Sequence, residues 1–143
     1  MSLPRPIKLL NPRRGEIWDA ILPSPSYPAA TNADQPIMPV EGHEQGGRRP
    51  VLVISDDRLN AGRSERIIVL CLTTSIRSIK SHIVIEPPEG GVNYPSAIIC
   101  DDIRSISRNN RRLVRKRGNV SQTTLDKVAA ILLAILDLST EKS

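Results

Sequence analysis

The 143 residues carry 20 Lys and Arg against 15 Asp and Glu, a formal charge of +5, and the sequence pI is near 9.7. That length suits one domain with one core and is short for two. With one Trp, two Tyr and no Phe the core must be aliphatic, and a platform that stacks nucleic-acid bases on aromatic rings is disfavoured.

In chain order, the first predicted strand is RGEIWDAIL, residues 14–22, after a turn-like NPR. Residues 23–41 follow, with prolines at 23, 25, 28, 36 and 39. Proline at that density blocks helix and ladder pairing alike, so this stretch reads as a loop or flap. PVLVIS (50–55), RIIVLCLTT (66–74), HIVIE (82–86) and SAIICDDIRSI (96–106) are short β-branched and aliphatic runs separated by polar turns. Strands of that length and spacing predict a mainly β protein built on a small, strongly curved sheet or half-open barrel.

A helix is expected only late. Ser121 has the character of an N-cap, and the helix is predicted to run to about Leu138. Leu125, Val128, Ala129, Leu132, Ile135 and Leu136 share a stripe that faces the sheet. Ile131 and Leu133 fall off it, which fits either burial against a second subunit or a deep position in the chain's own core.

Between Arg104 and Arg117 there are seven basic residues and no acid. Such a block attracts phosphate backbones or an acidic protein partner, and its bland alternative is a solvated basic loop. Cys71 and Cys100 sit in apolar runs and read as small buried hydrophobes, and with two distant histidines they make no zinc spacing. The apolar stretch Val128–Leu136 is about half of the ~18 residues that a membrane span needs. With no charged-then-apolar leader, the expectation is a soluble, cytoplasmic protein without a membrane anchor.

The most unusual segment is GHEQGGRRP, residues 42–50, which runs into the second strand. Gly46 and Gly47 permit positive φ and close approach of a ligand. Arg49 stands at the junction of loop and strand, where its planar fork suits phosphate oxygens. The bland reading is a charged hairpin end in which Glu44 pairs Arg48 or Arg49.

The string GHEQGGRRPVLVIS resembles the signature of the MazF/PemK toxins, ribosome-independent endoribonucleases of toxin–antitoxin pairs. RGEIW, VLCLTTSIR, ICDDIRSI and GNVSQTTLDKV agree with that family in order and spacing, and together these segments cover most of the chain. The resemblance implies an SH3-like half-open barrel of the MazF/PemK/CcdB type with a C-terminal helix. It implies one domain over 1–143, with a proline-rich insertion at about 23–41. It also implies a homodimer that cuts single-stranded RNA without a metal or other cofactor and is held by an acidic, MazE-like antitoxin. Arg49 and Thr73 correspond to the family's catalytic pair, and His43, Glu44, Gln45, Arg48, Arg77 and Asp101 to substrate contacts.

Arg49 and Thr73 suit a reaction in which a 2′-hydroxyl attacks the adjacent phosphate, because each supplies a donor where negative charge develops. Arginine itself is a poor base, and His43 and Glu44 are candidates because both titrate in a useful range, but Glu44 could equally orient Arg49 and His43 contact the RNA, so the base is left unassigned. One family branch places an arginine two residues before an aspartate; here those positions are Ile99 and Asp101, and the arginine is missing. The alternatives are a gyrase poison of the same fold, which uses a C-terminal tryptophan motif whereas the only Trp here is Trp18, and a binding module that has lost its chemistry.

Overall fold

The computed structural model describes residues 6–22 and 47–138. Its strands are β1 (Glu16–Ile21), β2 (Arg48–Val53), β3 (Arg66–Thr73), β4 (His82–Ile85), β5 (Ser96–Ser107) and β6 (Leu113–Asn119). They form one antiparallel sheet in the order β4-β5-β3-β2-β1-β6, so β4 and β6 are its edges. Among the described residues the sheet is joined by a single turn of helix, α1 (Asp57–Asn60), a 3-10 turn (Glu89–Gly91) and the terminal helix α2 (Gln122–Ile135).

Alternation along the strands puts apolar side chains on both faces of the sheet. One face carries Ile17, Leu52, Leu70, Leu72 and Ile98, and α2 lies on it through Val128, with Leu125, Ile131 and Leu132 packing from the same helix. The other carries Ala20, Val51, Val53, Ile67, Val69 and Cys71, closed by Leu10, Trp18 and Leu113. Filling both sides of so short a sheet requires it to bend. Register shifts supply the bend: β3 and β5 slip between Leu70↔Ile103 and Leu72↔Ile98, and β1 and β6 slip twice.

The expected mainly β fold with a terminal helix is what the chain adopts, and three details differ. First, β6 begins within the basic block, and that block is no solvated loop. Lys116 ion-pairs with Glu16 at 2.9 Å, Arg115 and Arg117 with Asp19, and Arg104 with Asp102. Arg108 is buried and donates to the Leu10 carbonyl at 2.8 Å. Second, α2 ends at Ile135, and Ile135 and Leu136 are exposed because the sheet does not extend beneath them. Third, Ile131 packs on the chain's own core, whereas Leu133 is exposed.

Ser121 caps α2 as expected, accepting from the Thr124 amide. A second cap comes from outside the helix: Glu89 Oε2 accepts from Thr124 Oγ1 at 2.5 Å and from the Ser121 amide at 3.0 Å. Negative charge is favourable at this end of the helix dipole. Burial pushes the Glu89 carboxyl up, but these donors hold it below the ordinary value. Both cysteines are free and buried. Among the described residues no helix is long and apolar enough to cross a membrane.

Candidate functional site

Arg48 and Arg49 open β2, directly after Gly47, whose φ of +81° is the left-handed conformation glycine tolerates best. In the ladder Arg49 stands opposite Ala20 and Arg48 opposite Ile21, so the two side chains leave opposite faces of the sheet. Arg49 shares its face with Val51 and Cys71. Its Nη2 donates to the Leu72 carbonyl at 3.0 Å, and its Nη1 lies 3.9 Å from Asp102. With its side chain only 20% exposed, the guanidinium is held between strands instead of ranging through water.

Thr73 ends β3 on the same face, one residue beyond the carbonyl that Arg49 grips. Its Oγ1 accepts from the Ser75 amide at 3.1 Å, which fixes the side chain and leaves the hydroxyl proton to donate. Arg49 and Thr73 are thereby brought side by side at the end of the sheet where β2 begins and β3 stops.

Asp102 completes the group. Besides Arg49 it holds Arg104, whose Nε is 3.1 Å from Oδ1, so two guanidiniums share one carboxylate and the locality stays positive. Burial lowers the Arg104 pKa, but the Asp102 hydrogen bond together with the nearby charges of Cys71 and Asp102 more than offsets it, and the net shift is upward. Cys71 lies beneath the same residues. Burial and then the Asp102 charge push its thiol up to about 11, against the pull of Arg49 and Arg104, so it is protonated at neutral pH and no nucleophile.

The remaining expected contacts are dispersed. Asp101 is exposed and accepts from Ser81 Oγ at 3.0 Å, away from the arginine pair. Arg77 is exposed in the connection between β3 and β4. Arg48 turns to the other face and meets Asp19 at 3.5 Å. His43, Glu44, Gln45 and the proline-rich 23–41 segment lie outside the described residues.

Asp102 and Arg104 are the members that sequence reading missed. Aspartates at 101 and 102 are equivalent on paper. The slip between Leu70↔Ile103 and Leu72↔Ile98 sets residues 99–102 against Cys71 alone, and that decides which carboxylate faces Arg49. The i, i+2 spacing of Asp102 and Arg104 was the one local signal.

A curved, open β-sheet closed by one helix, with an arginine fork and a threonine hydroxyl at its mouth, defines a small β protein with a site suited to an anionic ester. The chain belongs to the PemK-like, MazF-like toxins of type II toxin-antitoxin systems, whose family model matches residues 33–136. Endoribonuclease EndoA of Bacillus subtilis is 37% identical over 106 residues, which is 71% of this chain and 89% of that protein. Endoribonuclease MazF of Staphylococcus saprophyticus is 33% identical over 109 residues, 75% of this chain and 88% of that protein. The fold is similar to a MazE-MazF crystal structure from Deinococcus radiodurans, with a TM-score of 0.64, 19% identity and coverage of 91% and 99% of the two chains. It is also similar to the Mycobacterium tuberculosis toxin MazF-mt6, with a TM-score of 0.62, 19% identity and coverage of 87% and 98%.

Proposed function

We propose that this toxin-family chain is a metal-independent endoribonuclease that cleaves single-stranded RNA at selected sequences, with Arg49 and Thr73 as its catalytic residues. The observation that carries the reading is the seating of Arg49 on the Leu72 carbonyl, which places a fixed, half-sequestered fork beside the Thr73 hydroxyl. Its relatives in Bacillus subtilis and Staphylococcus saprophyticus are named endoribonucleases.

In the reaction the RNA 2′-oxygen forms a bond to phosphorus as the bond from phosphorus to the 5′-oxygen breaks. The 2′-hydroxyl gives its proton to a base, and the departing 5′-oxygen takes one up. The products are a 2′,3′-cyclic phosphate and a 5′-hydroxyl. The strain on this path is the extra negative charge of the phosphorane. Arg49 supplies a charge-assisted donor pair for it and Thr73 a neutral one, both already oriented by their contacts with the sheet.

The protein works as a cytoplasmic homodimer and is restrained by an acidic antitoxin. Asp101, Arg77 and the 43–45 segment contact substrate, and the proline-rich insertion in this single domain acts as a flap that restricts access or alters sequence choice. Deleting residues 24–38 changes the cleavage pattern or the antitoxin affinity; if it leaves both as they were, the flap has no such role.

The central test is incubation of a long single-stranded RNA in EDTA with the wild type and with the Arg49→Ala and Thr73→Ala variants. Discrete cuts ending in cyclic phosphates are expected, with each variant slower by about 10²- to 10³-fold, the loss typical of one oxyanion-type donor. Wild-type rates in either variant, or no cutting by the wild type, overturn the assignment.

A further inference from the structure

Asp19 lies on the face of β1 opposite to Arg49, with its side chain 4% exposed, and it gathers three arginines. Arg117 Nε is 2.6 Å from Oδ1, while Arg115 Nε at 3.1 Å and Arg48 Nη2 at 3.5 Å share Oδ2. They come from different places. Arg48 opens β2, Arg115 stands directly across from Asp19 on β6, and Arg117 falls at the register shift where β1 offers it no counterpart.

That shift is locked by close backbone packing. Gly91 has φ +71°, and a Cβ on it would lie 2.1 Å from the Arg117 carbonyl oxygen; a Cβ on Gly118 would lie 2.8 Å from the Gly91 nitrogen. The 3-10 turn thus clamps the backbone that aims Arg117 at Asp19.

One carboxylate has about four acceptor positions, whereas three guanidiniums bring about fifteen N–H donors. A single arginine neutralises the buried acid. The other two are brought close to a like charge, an arrangement that costs electrostatic energy unless a further anion joins it. Arg48 and Arg115 keep 40% and 63% of their side chains exposed, so the surplus charge is presented at the surface.

We propose that Arg48, Arg115 and Arg117, organised by Asp19, bind the sugar-phosphate backbone of single-stranded RNA beside the bond held by Arg49 and Thr73. This rests on the ribonuclease reading above. Arg48 and Arg49 are adjacent and leave opposite faces at the start of β2, so a strand crossing that end of the sheet meets both. A polyanion fits better than an acidic peptide: among the described residues the apolar neighbours on this side, Ile17 and Leu52, are fully buried and offer no exposed surface to an anchoring side chain. Backbone phosphates need none. The contact is therefore independent of base sequence and governs affinity, not the choice of the cut.

The test measures binding of the full chain to a 2′-O-methyl oligonucleotide of mixed sequence, which cannot be cleaved by 2′-oxygen attack, across a series of salt concentrations. The variant Arg48→Gln/Arg115→Gln keeps Arg117 on Asp19, and Arg115→Gln alone is the milder second variant. For the double variant, affinity at low salt should fall about tenfold and the slope of log K against log salt should become shallower by about 1.4; for the single variant by about 0.7. Unchanged affinity and slope, with the wild type binding, overturn the site and leave the ribonuclease reading standing. A loss seen with polyglutamate but not with the oligonucleotide overturns the RNA assignment in favour of an acidic protein partner. Failure of the wild type to bind any oligonucleotide overturns the RNA reading itself.

Discussion

Arg48 and Arg49, neighbours on the chain, serve opposite faces of the sheet: one turns to Asp19 on β1, the other to the Leu72 carbonyl and Asp102. Substitution should therefore separate their effects. Arg49→Lys keeps the charge and loses the planar fork, so kcat should fall by about 10²-fold with little change in KM. Arg48→Gln should raise KM and spare kcat. Steady-state kinetics on one short RNA containing a mapped cut site decide it, and the pattern fails if both substitutions move the same constant.

Asp102 is a positioning residue in this arrangement, since it touches Arg49 and Arg104 and stands behind them. Asp102→Asn preserves shape and removes the charge. Cleavage should slow by about tenfold, less than the 10²- to 10³-fold expected for loss of the donor itself. The acidic limb of the pH–rate profile should stay in place. Disappearance of that limb would make Asp102 the general base instead.

Long-range pairing marks the limit of what the sequence discloses. β2, β3, β4 and β5 were legible because each is a run of β-branched and aliphatic residues, and α2 because Ser121 caps it within three residues. β6 was not, because LVRKRGN buries only Leu113 fully and its basic side chains find their partners in Glu16 and Asp19, about a hundred residues earlier. The same holds for the helix end: Ile135 and Leu136 lie on the apolar stripe, yet periodicity states which way a side chain points and not where the sheet stops. At the site, Arg49 and Thr73 were visible through the resemblance of their surrounding strings. The choice of Asp102 over Asp101 required the register of β3 against β5.

Asp19 should make stability depend on acid. Burial pushes its carboxyl up, but Arg117 and Arg115 more than offset this, and the folded value lies below the ordinary 3.8. Its contribution is therefore full above the unfolded pKa and is lost as pH falls through the folded one. Urea denaturation should show the wild type losing stability from about pH 4 downward. Asp19→Asn should flatten that part of the curve and, at pH 7, cost about 1.5–3 kcal/mol, because the arginines lose a charged acceptor but stay partly solvated. An equal acid slope in both proteins would assign the effect to other carboxylates.

The two caps of α2 should not be independent. Ser121 Oγ and Glu89 Oε2 both engage Thr124, one through its amide and the other through its hydroxyl, and Ser121 Oγ lies 3.2 Å from Glu89 Oε2. Ser121→Ala removes a local cap and should cost about 1 kcal/mol. Glu89→Gln keeps one acceptor oxygen and loses the charge that complements the helix dipole, a further cost of about 0.5–1 kcal/mol. Since each substitution disturbs the geometry the other relies on, the double variant should differ from the sum by at least about 0.5 kcal/mol. Urea denaturation of all four proteins at pH 7 measures the coupling. Strict additivity would mean that the two caps stabilise the helix independently, with no coupling through Thr124.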